Sequence, residues 1–227
     1  MAVFTQVSLD EAARLFDALG LGTLTELRGI EGGIENTNYF ATAEQDGQAH
    51  QWVLTLFERL THAQLPFYLH LMKHLAEHGI PVPDPQAKPA GMPVGAQEDD
   101  LLHTLAGKPA AVVNRLRGKS ELAPGPAHCA AVGAMLARAH LAARDFPLHQ
   151  PNLRGLPWWN ETVPVVLPHL NPEQAALIRA ELAFQNHTAA SSAYAALPRG
   201  AVHADLFRDN VMFEGTREQP VLSGFFD

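Results

Sequence analysis

Hydrophobic periodicity changes once along this chain, and that change limits the folds open to it. Up to about residue 117 the apolar residues come in short alternating runs, bounded by Gly, Pro and Asp-Gly signals. "LTELRGIEGG", "NTNYFATAEQDG" and "AHQWVLTLFE" read as three strands, with Asp46-Gly47 as a hairpin turn between the second and third. "DLLHTLAGKPAAVVNRL" reads as two more, joined around Gly107-Lys108-Pro109. "SLDEAARLFDALG" is a leading helix: Ser8 caps it, Glu11 completes a capping box, and Gly20 stops it. "QLPFYLHLMKHLAEHG" is a second helix, inserted among the strands and ended by Gly79. "IPVPDPQAKPAGMP" is a Pro-rich loop with a short strand. From Pro124 the pattern turns helical, in "PAHCAAVGAMLARAHLAAR" and "NPEQAALIRAELAFQNHTAASSAYAAL". "AVHA", "NVMF" and "PVLSGFFD" are short strands near residue 227. The class is α+β. A β-rich part spans 1–117 and a mainly helical part spans 118–227, with a hinge in "RLRGKSELAPG".

Composition excludes several function classes. The formal charge is 16 − 24 = −8, which disfavours a nucleic-acid or membrane-surface binder, since either wants a basic face. It leaves room for a small anionic ligand, because a few local donors bind phosphate even in an acidic protein. Hydrophobic residues make up 47% and charged residues 18%, enough apolar material for a packed core. The single cysteine, Cys129, lies in an Ala-rich helical pattern and reads as a small buried side chain. No basic-then-apolar leader opens the chain, and no run approaches the ~18 apolar residues of a membrane span. A soluble cytoplasmic protein is expected.

The densest polar stretch is "HADLFRDN", residues 203–210, set between two apolar runs. His203, Asp205 and Asn210 fit the spacing H-x-D-x-x-x-x-N, which suits phosphoryl transfer. A carboxylate such as Asp205 takes the proton of an acceptor hydroxyl. The amide oxygen of Asn210 is a hard ligand for a nucleotide's metal ion. His203 reads as a hydrogen-bonding brace of the same loop. The following "VMFEGTREQPVLSGFFD" forms a strand, a turn and a return strand, which brings Asp227 back toward Asn210. The bland alternative is a polar turn followed by a terminal acid. A second candidate is "GIEGGIENTNYF". Gly32 and Gly33 let backbone N–H groups approach an anion, and Asn36 and Asn38 add donors, although Gly-Gly between strands is most often only a turn. No G-K-[ST] follows, so this is not a Walker A loop.

Taken together, "GIEGGIENTNYF", "WVLTLFER", "GIPVP", "LAGKPAAVVNRLRGKS", "VGAMLARAHLA" and "HADLFRDNVMFEG" resemble the kinase-like fold of the aminoglycoside phosphotransferase superfamily. More narrowly they resemble its bacterial homoserine kinases. The resemblance implies a protein-kinase-like bilobal fold, with ATP between a β-rich lobe and a helical lobe. It implies Asp205 as catalytic base, Asn210 and Asp227 as Mg²⁺ ligands, residues 32 to 38 over the phosphates, and "AAVVNRL" against the adenine. It implies L-homoserine as acceptor, O-phospho-L-homoserine as product, and a place in threonine biosynthesis. Choline, methylthioribose, aminoglycoside or hydroxylysine acceptors are the alternatives within the superfamily, and a non-catalytic nucleotide-binding fragment is the alternative outside it. Arg154, Trp158 and Trp159 are available to an acceptor or to packing. Two departures stand out. Thr55 occupies the position where the superfamily places a phosphate-binding lysine, with Arg59 or Lys73 as possible substitutes. The family pattern also continues past its metal-binding aspartate, so an N-terminal fragment of a longer protein, with an incomplete helical lobe, is expected.

Overall fold

The computed structural model describes residues 3–31, 35–89 and 99–226. Helix α1 (Leu9–Ala18) starts where Ser8 and Glu11 form the expected capping box, and it buries Ala12 and Phe16. Strands β1 (Thr23–Gly29), β2 (Asn36–Gln45) and β3 (Gln48–Phe57) follow as an antiparallel meander. Asp46 and Gly47 both take positive φ, at 52° and 77°, as a two-residue hairpin requires. Helix α2 (Pro66–Glu77) crosses to β4 (His103–Leu105) and β5 (Lys108–Asn114). The turn between these strands is Ala106-Gly107, with φ of 49° and 74°. It lies one residue earlier than the sequence suggested, so Lys108 and Pro109 already belong to β5. The sheet order is β1-β2-β3-β5-β4, and Pro85 of the Pro-rich loop bridges to Val113.

Strand alternation gives the sheet two faces. Tyr39, Ala41, Ala43, Leu54, Leu56, Ala110 and Val112 pack with Ala12 and Phe16 of α1 in one core. On the other face, Ala111 packs with Leu65 and Leu69 at α2 and with Leu101 and Leu102. A third core joins Ile80 and Val82 to Ala139 of α3 (Pro126–Ala142) and to β6 (Val211–Gly215) and β7 (Pro220–Phe225), which pair antiparallel. "AVHA" forms no strand. Val202 is 64% exposed, and without a partner ladder a short apolar run stays irregular. Cys129 is exposed rather than buried. The inward position of that turn belongs to His128, whose ring packs edge-on against Phe213 at 4.8 Å.

By compactness, Met1–Phe146 with Ala201–Asp227 form one unit, and Pro147–Gly200 form another. The second unit holds α4 (Leu156–Val166), α5 (Pro172–Ala189) and the short α6 (Ser192–Ala195). Asn160 of α4 and Asn186 of α5 exchange side-chain hydrogen bonds of 2.9 and 3.1 Å. The long helix expected over 171–197 breaks at Ser191, whose extended backbone and hydroxyl cap the N–H of Tyr194 and start α6.

Candidate active site

Residues 203–210 form an irregular loop that ends in a single 3-10 turn over Arg208–Asn210, and β6 follows directly. The loop's own backbone shapes it. The Asp205 carbonyl accepts the N–H of Phe207 at 3.0 Å and the side-chain Nδ2 of Asn210 at 3.3 Å. That bond engages the amide nitrogen of Asn210 with the loop's own backbone. His203 Nδ1 accepts the N–H of Asp205 at 3.4 Å, and its ring lies 5.7 Å from that of Phe225. Among the described residues, its Nε2 is buried without a hydrogen-bond partner. Between them Ala204 holds φ of 65°, a left-handed conformation that an alanine adopts at a cost of about 1–2 kcal/mol. Strain held at such a loop is a recurrent feature of functional sites.

The hairpin brings its far end back to the loop. Val211 pairs with Phe225, and the N–H of Phe226 donates to the carbonyl of Asn210 at 3.0 Å. Asp227 itself lies outside the described residues, as do Gly32 and Gly33. The loop is anchored from below by Leu206, which packs on the third core. The chain segment after β5 secures it from the side. Lys119 and Phe213 exchange backbone hydrogen bonds of 3.0 and 2.9 Å. Ser120 Oγ donates to the Asp209 carbonyl at 2.8 Å, and Ser223 Oγ donates to the Arg117 carbonyl at 2.7 Å. No sequence signal marks Ser120, because its partner is 89 residues away.

On the sheet, Thr55 of β3 sits opposite Asn38 of β2, and its hydroxyl donates to the Asn38 side-chain oxygen at 2.7 Å. Asn36 lies two residues along the same face, at the start of β2. The structure therefore joins Asn38 to Thr55 and lines Asn36 up with them. On the opposite face of the sheet lies a network that sequence reasoning missed. Thr37, fully buried, accepts the N–H groups of Phe4 and Thr5 and donates to Glu58 at 2.7 Å, and Glu58 pairs with Lys108 at 3.1 Å. Burial pushes the Glu58 carboxyl up, but bonds from Thr5, Thr37 and Lys108 outweigh it and hold the group below the usual range.

Where the start of β3 meets residues 114 to 118, a cavity of about 640 Å³ opens. It is lined by Gln51, Trp52, Asn114, Arg115, Gly118 and Glu214. Its size is in the range of small-molecule sites. In the second unit, the Arg154 guanidinium lies 5.1 Å from the Trp158 ring, and Trp159 Nε1 donates to the Arg154 carbonyl at 2.9 Å. Asp205 and Asn210 of the 203–210 loop offer a carboxylate and an amide oxygen, both hard oxygen donors. Such oxygen donors are of the kind that Mg²⁺ takes.

Comparison with known proteins places the chain in a family. The model of the phosphotransferase enzyme family matches residues 26–227. A homoserine kinase of Polaromonas naphthalenivorans (strain CJ2) is 65% identical over 227 residues, all of this chain and 67% of that protein. A homoserine kinase of Ralstonia pickettii (strain 12J) is 55% identical, over all of this chain and 66% of its own length. The chain thus spans about two thirds of the length of these relatives. Among solved structures, spectinomycin phosphotransferase APH(9)-Ia, in complex with ADP and spectinomycin, superposes with a TM-score of 0.59 at 14% identity. The match covers 97% of this chain and 71% of that one. The fold is kinase-like, and the chain belongs to the phosphotransferase enzyme family, where it groups with the homoserine kinases.

Proposed function

We propose that the protein transfers the γ-phosphate of ATP to the side-chain hydroxyl of L-homoserine, giving O-phospho-L-homoserine and ADP. The observation that carries this reading is the closed loop at Asp205 and Asn210, tied to the end of the β6–β7 hairpin through Phe226. The homoserine kinases among its relatives supply the acceptor. In this reading residues 1–117 hold the nucleotide and residues 118–227 carry the catalytic loop. Gly32, Gly33, Asn36 and Asn38 cover the phosphates, and Thr55 orients Asn38 through its 2.7 Å hydrogen bond. The adenine lies against residues 110 to 116, beside the cavity at the end of β5.

Asp205 accepts the hydroxyl proton as the acceptor oxygen bonds to the γ-phosphorus. The bond from that phosphorus to the β–γ bridging oxygen breaks, and ADP leaves. His203 holds the Asp205 backbone in place through its Nδ1. Asn210 and Asp227 would hold Mg²⁺, which neutralises phosphate charge when bound. The protein's part is positioning and electrostatics rather than covalent chemistry.

The test is Mg²⁺-ATP-dependent ADP release with homoserine, choline, methylthioribose and kanamycin offered separately. Homoserine-dependent release is the expected result. Release with another acceptor alone would reassign the substrate, and ATP binding without release would favour a nucleotide-binding module. Asp205→Asn is expected to lower turnover by roughly 10²–10⁴-fold while ATP affinity stays nearly unchanged. Full turnover in that variant would remove Asp205 as the base.

A further inference from the structure

A phosphate-binding fold with threonine at its usual lysine position still has to offset the charge of a nucleoside triphosphate. Thr55 cannot do so, and its hydroxyl is already engaged with Asn38. Two nearby cations are committed elsewhere. Lys73 of α2 pairs with Asp84 at 2.9 Å, and the Asp84 N–H is itself held by the Asn114 side chain at 2.6 Å. Lys108 pairs with Glu58, the carboxylate that fastens residues 4 and 5 to Thr37. The guanidinium of Arg115 stacks 4.0 Å from the Phe40 ring and bonds to Gln51. That of Arg28 lies 5.4 Å from the same ring. Phe40 stands two residues past Asn38, away from the start of β2.

Arg59 is placed differently. It lies just beyond the end of β3, at the end of the sheet where Asn36 pairs with Phe57. Its Nη1 reaches Glu35 at 3.3 Å, the residue immediately before β2. Both side chains are open to solvent, 66% and 63% exposed, so this pair holds the guanidinium only weakly. A guanidinium presents forked donors that match phosphate oxygens in pairs, which an exposed carboxylate partner cannot outcompete when a polyphosphate is present. We infer that Arg59 replaces the missing strand lysine as the cation that binds the nucleotide's phosphates, exchanging Glu35 for the phosphate oxygens. The inference rests on the kinase reading above, and it makes Glu35 a competitor that sets the resting position of Arg59.

The experiment is titration of the whole chain with Mg²⁺-ATP, Mg²⁺-ADP and adenosine, for wild type, Arg59→Ala, Arg59→Lys, Glu35→Gln and Arg28→Ala. Arg59→Ala is expected to weaken ATP and ADP binding by roughly ten- to a hundredfold and to leave adenosine binding unchanged. Arg59→Lys recovers part of the loss, because it restores charge without the fork. Glu35→Gln tightens ATP binding by removing the competitor. Unchanged adenosine affinity also reports that each variant is folded, which a merely structural role for Arg59 would not leave intact. If wild type binds ATP far more tightly than adenosine and Arg59→Ala keeps that preference, this inference is overturned and the kinase reading stands. It is overturned likewise if the preference disappears in Arg28→Ala and not in Arg59→Ala. If wild type binds no nucleotide, both fall together.

Discussion

At the scale of single residues, Thr37 shows how a small buried group controls a larger surface. Its hydroxyl uses its full capacity: it accepts two backbone N–H groups and donates once to Glu58. Thr37→Val keeps the volume and removes every one of those bonds. Leaving the part-buried N–H groups of Phe4 and Thr5 without their acceptor costs about 1–3 kcal/mol each, so a loss of about 2–6 kcal/mol is expected in urea unfolding, while Glu58 keeps its bond to Lys108. Thr37→Ser should lose far less, because it keeps the hydroxyl. Glu58 adds a pH signature. Its folded carboxyl is held low, so it binds a proton less readily when folded than when unfolded. Its stabilisation is therefore fully present above the unfolded value of about 4.3, and it is lost as pH falls through the lower folded value. A Glu58→Gln chain should have a lower urea midpoint at pH 7 and a flatter acid limb below about pH 4.3. Equal acid limbs in the two chains would remove Glu58 as the group responsible. None of this was legible in the sequence, since Thr37 and Glu58 are 21 residues apart and no local spacing links them.

At the scale of elements, the segment after β5 depends on one glycine. Gly118 has φ of 87°, and a Cβ placed there would lie 2.3 Å from the Phe213 carbonyl oxygen. Gly118→Ala combines a left-handed alanine, about 1–2 kcal/mol, with a backbone clash of about 1–3 kcal/mol. A loss of about 2–5 kcal/mol is expected in urea unfolding, together with reduced turnover, because Lys119 and Ser120 tie this segment to β6 and to the 203–210 loop proposed as catalytic. Gly133→Ala, at a helical position open to solvent, serves as the control and should be neutral or slightly stabilising. Elements with local signals were legible: the capping box of α1, the Asp46-Gly47 hairpin, and the long apolar pattern of α3. Helix α4 was not, because Gly155, Pro157 and Pro164 all read as breakers. Yet Pro157 stands in the first turn, where its missing N–H has no helical partner to lose. The spacing of Asp205 and Asn210 was legible because one loop carries both. Their closure by Phe226 could be anticipated only as a returning hairpin, and the left-handed Ala204 between His203 and Asp205 left no sequence mark.

At the scale of the molecule, the Asn38–Thr55 pair, the cavity beside β5 and the 203–210 loop all belong to one compact unit made of two chain segments, Met1–Phe146 and Ala201–Asp227. Residues 147–200 form the other unit. A ligand held by the first unit should therefore act on that unit's stability. A ligand that binds only the folded state stabilises it by about 2.7 kcal/mol at a hundredfold excess over its Kd. For a unit of this size each kcal/mol moves the midpoint by about 2–4 °C, so Mg²⁺-ATP should raise Tm by roughly 5–10 °C. Asp205→Asn should keep most of that shift, since the role proposed for Asp205 is on the acceptor proton and not on nucleotide affinity. Arg59→Ala should lose most of it, while adenosine should give both variants the same small shift. Hydrogen exchange would locate the effect. Protection gained in 1–146 and 201–226, with 147–200 unchanged, is the pattern that one nucleotide site within the first unit predicts. Uniform protection would mean that the two units respond to nucleotide as one cooperative body.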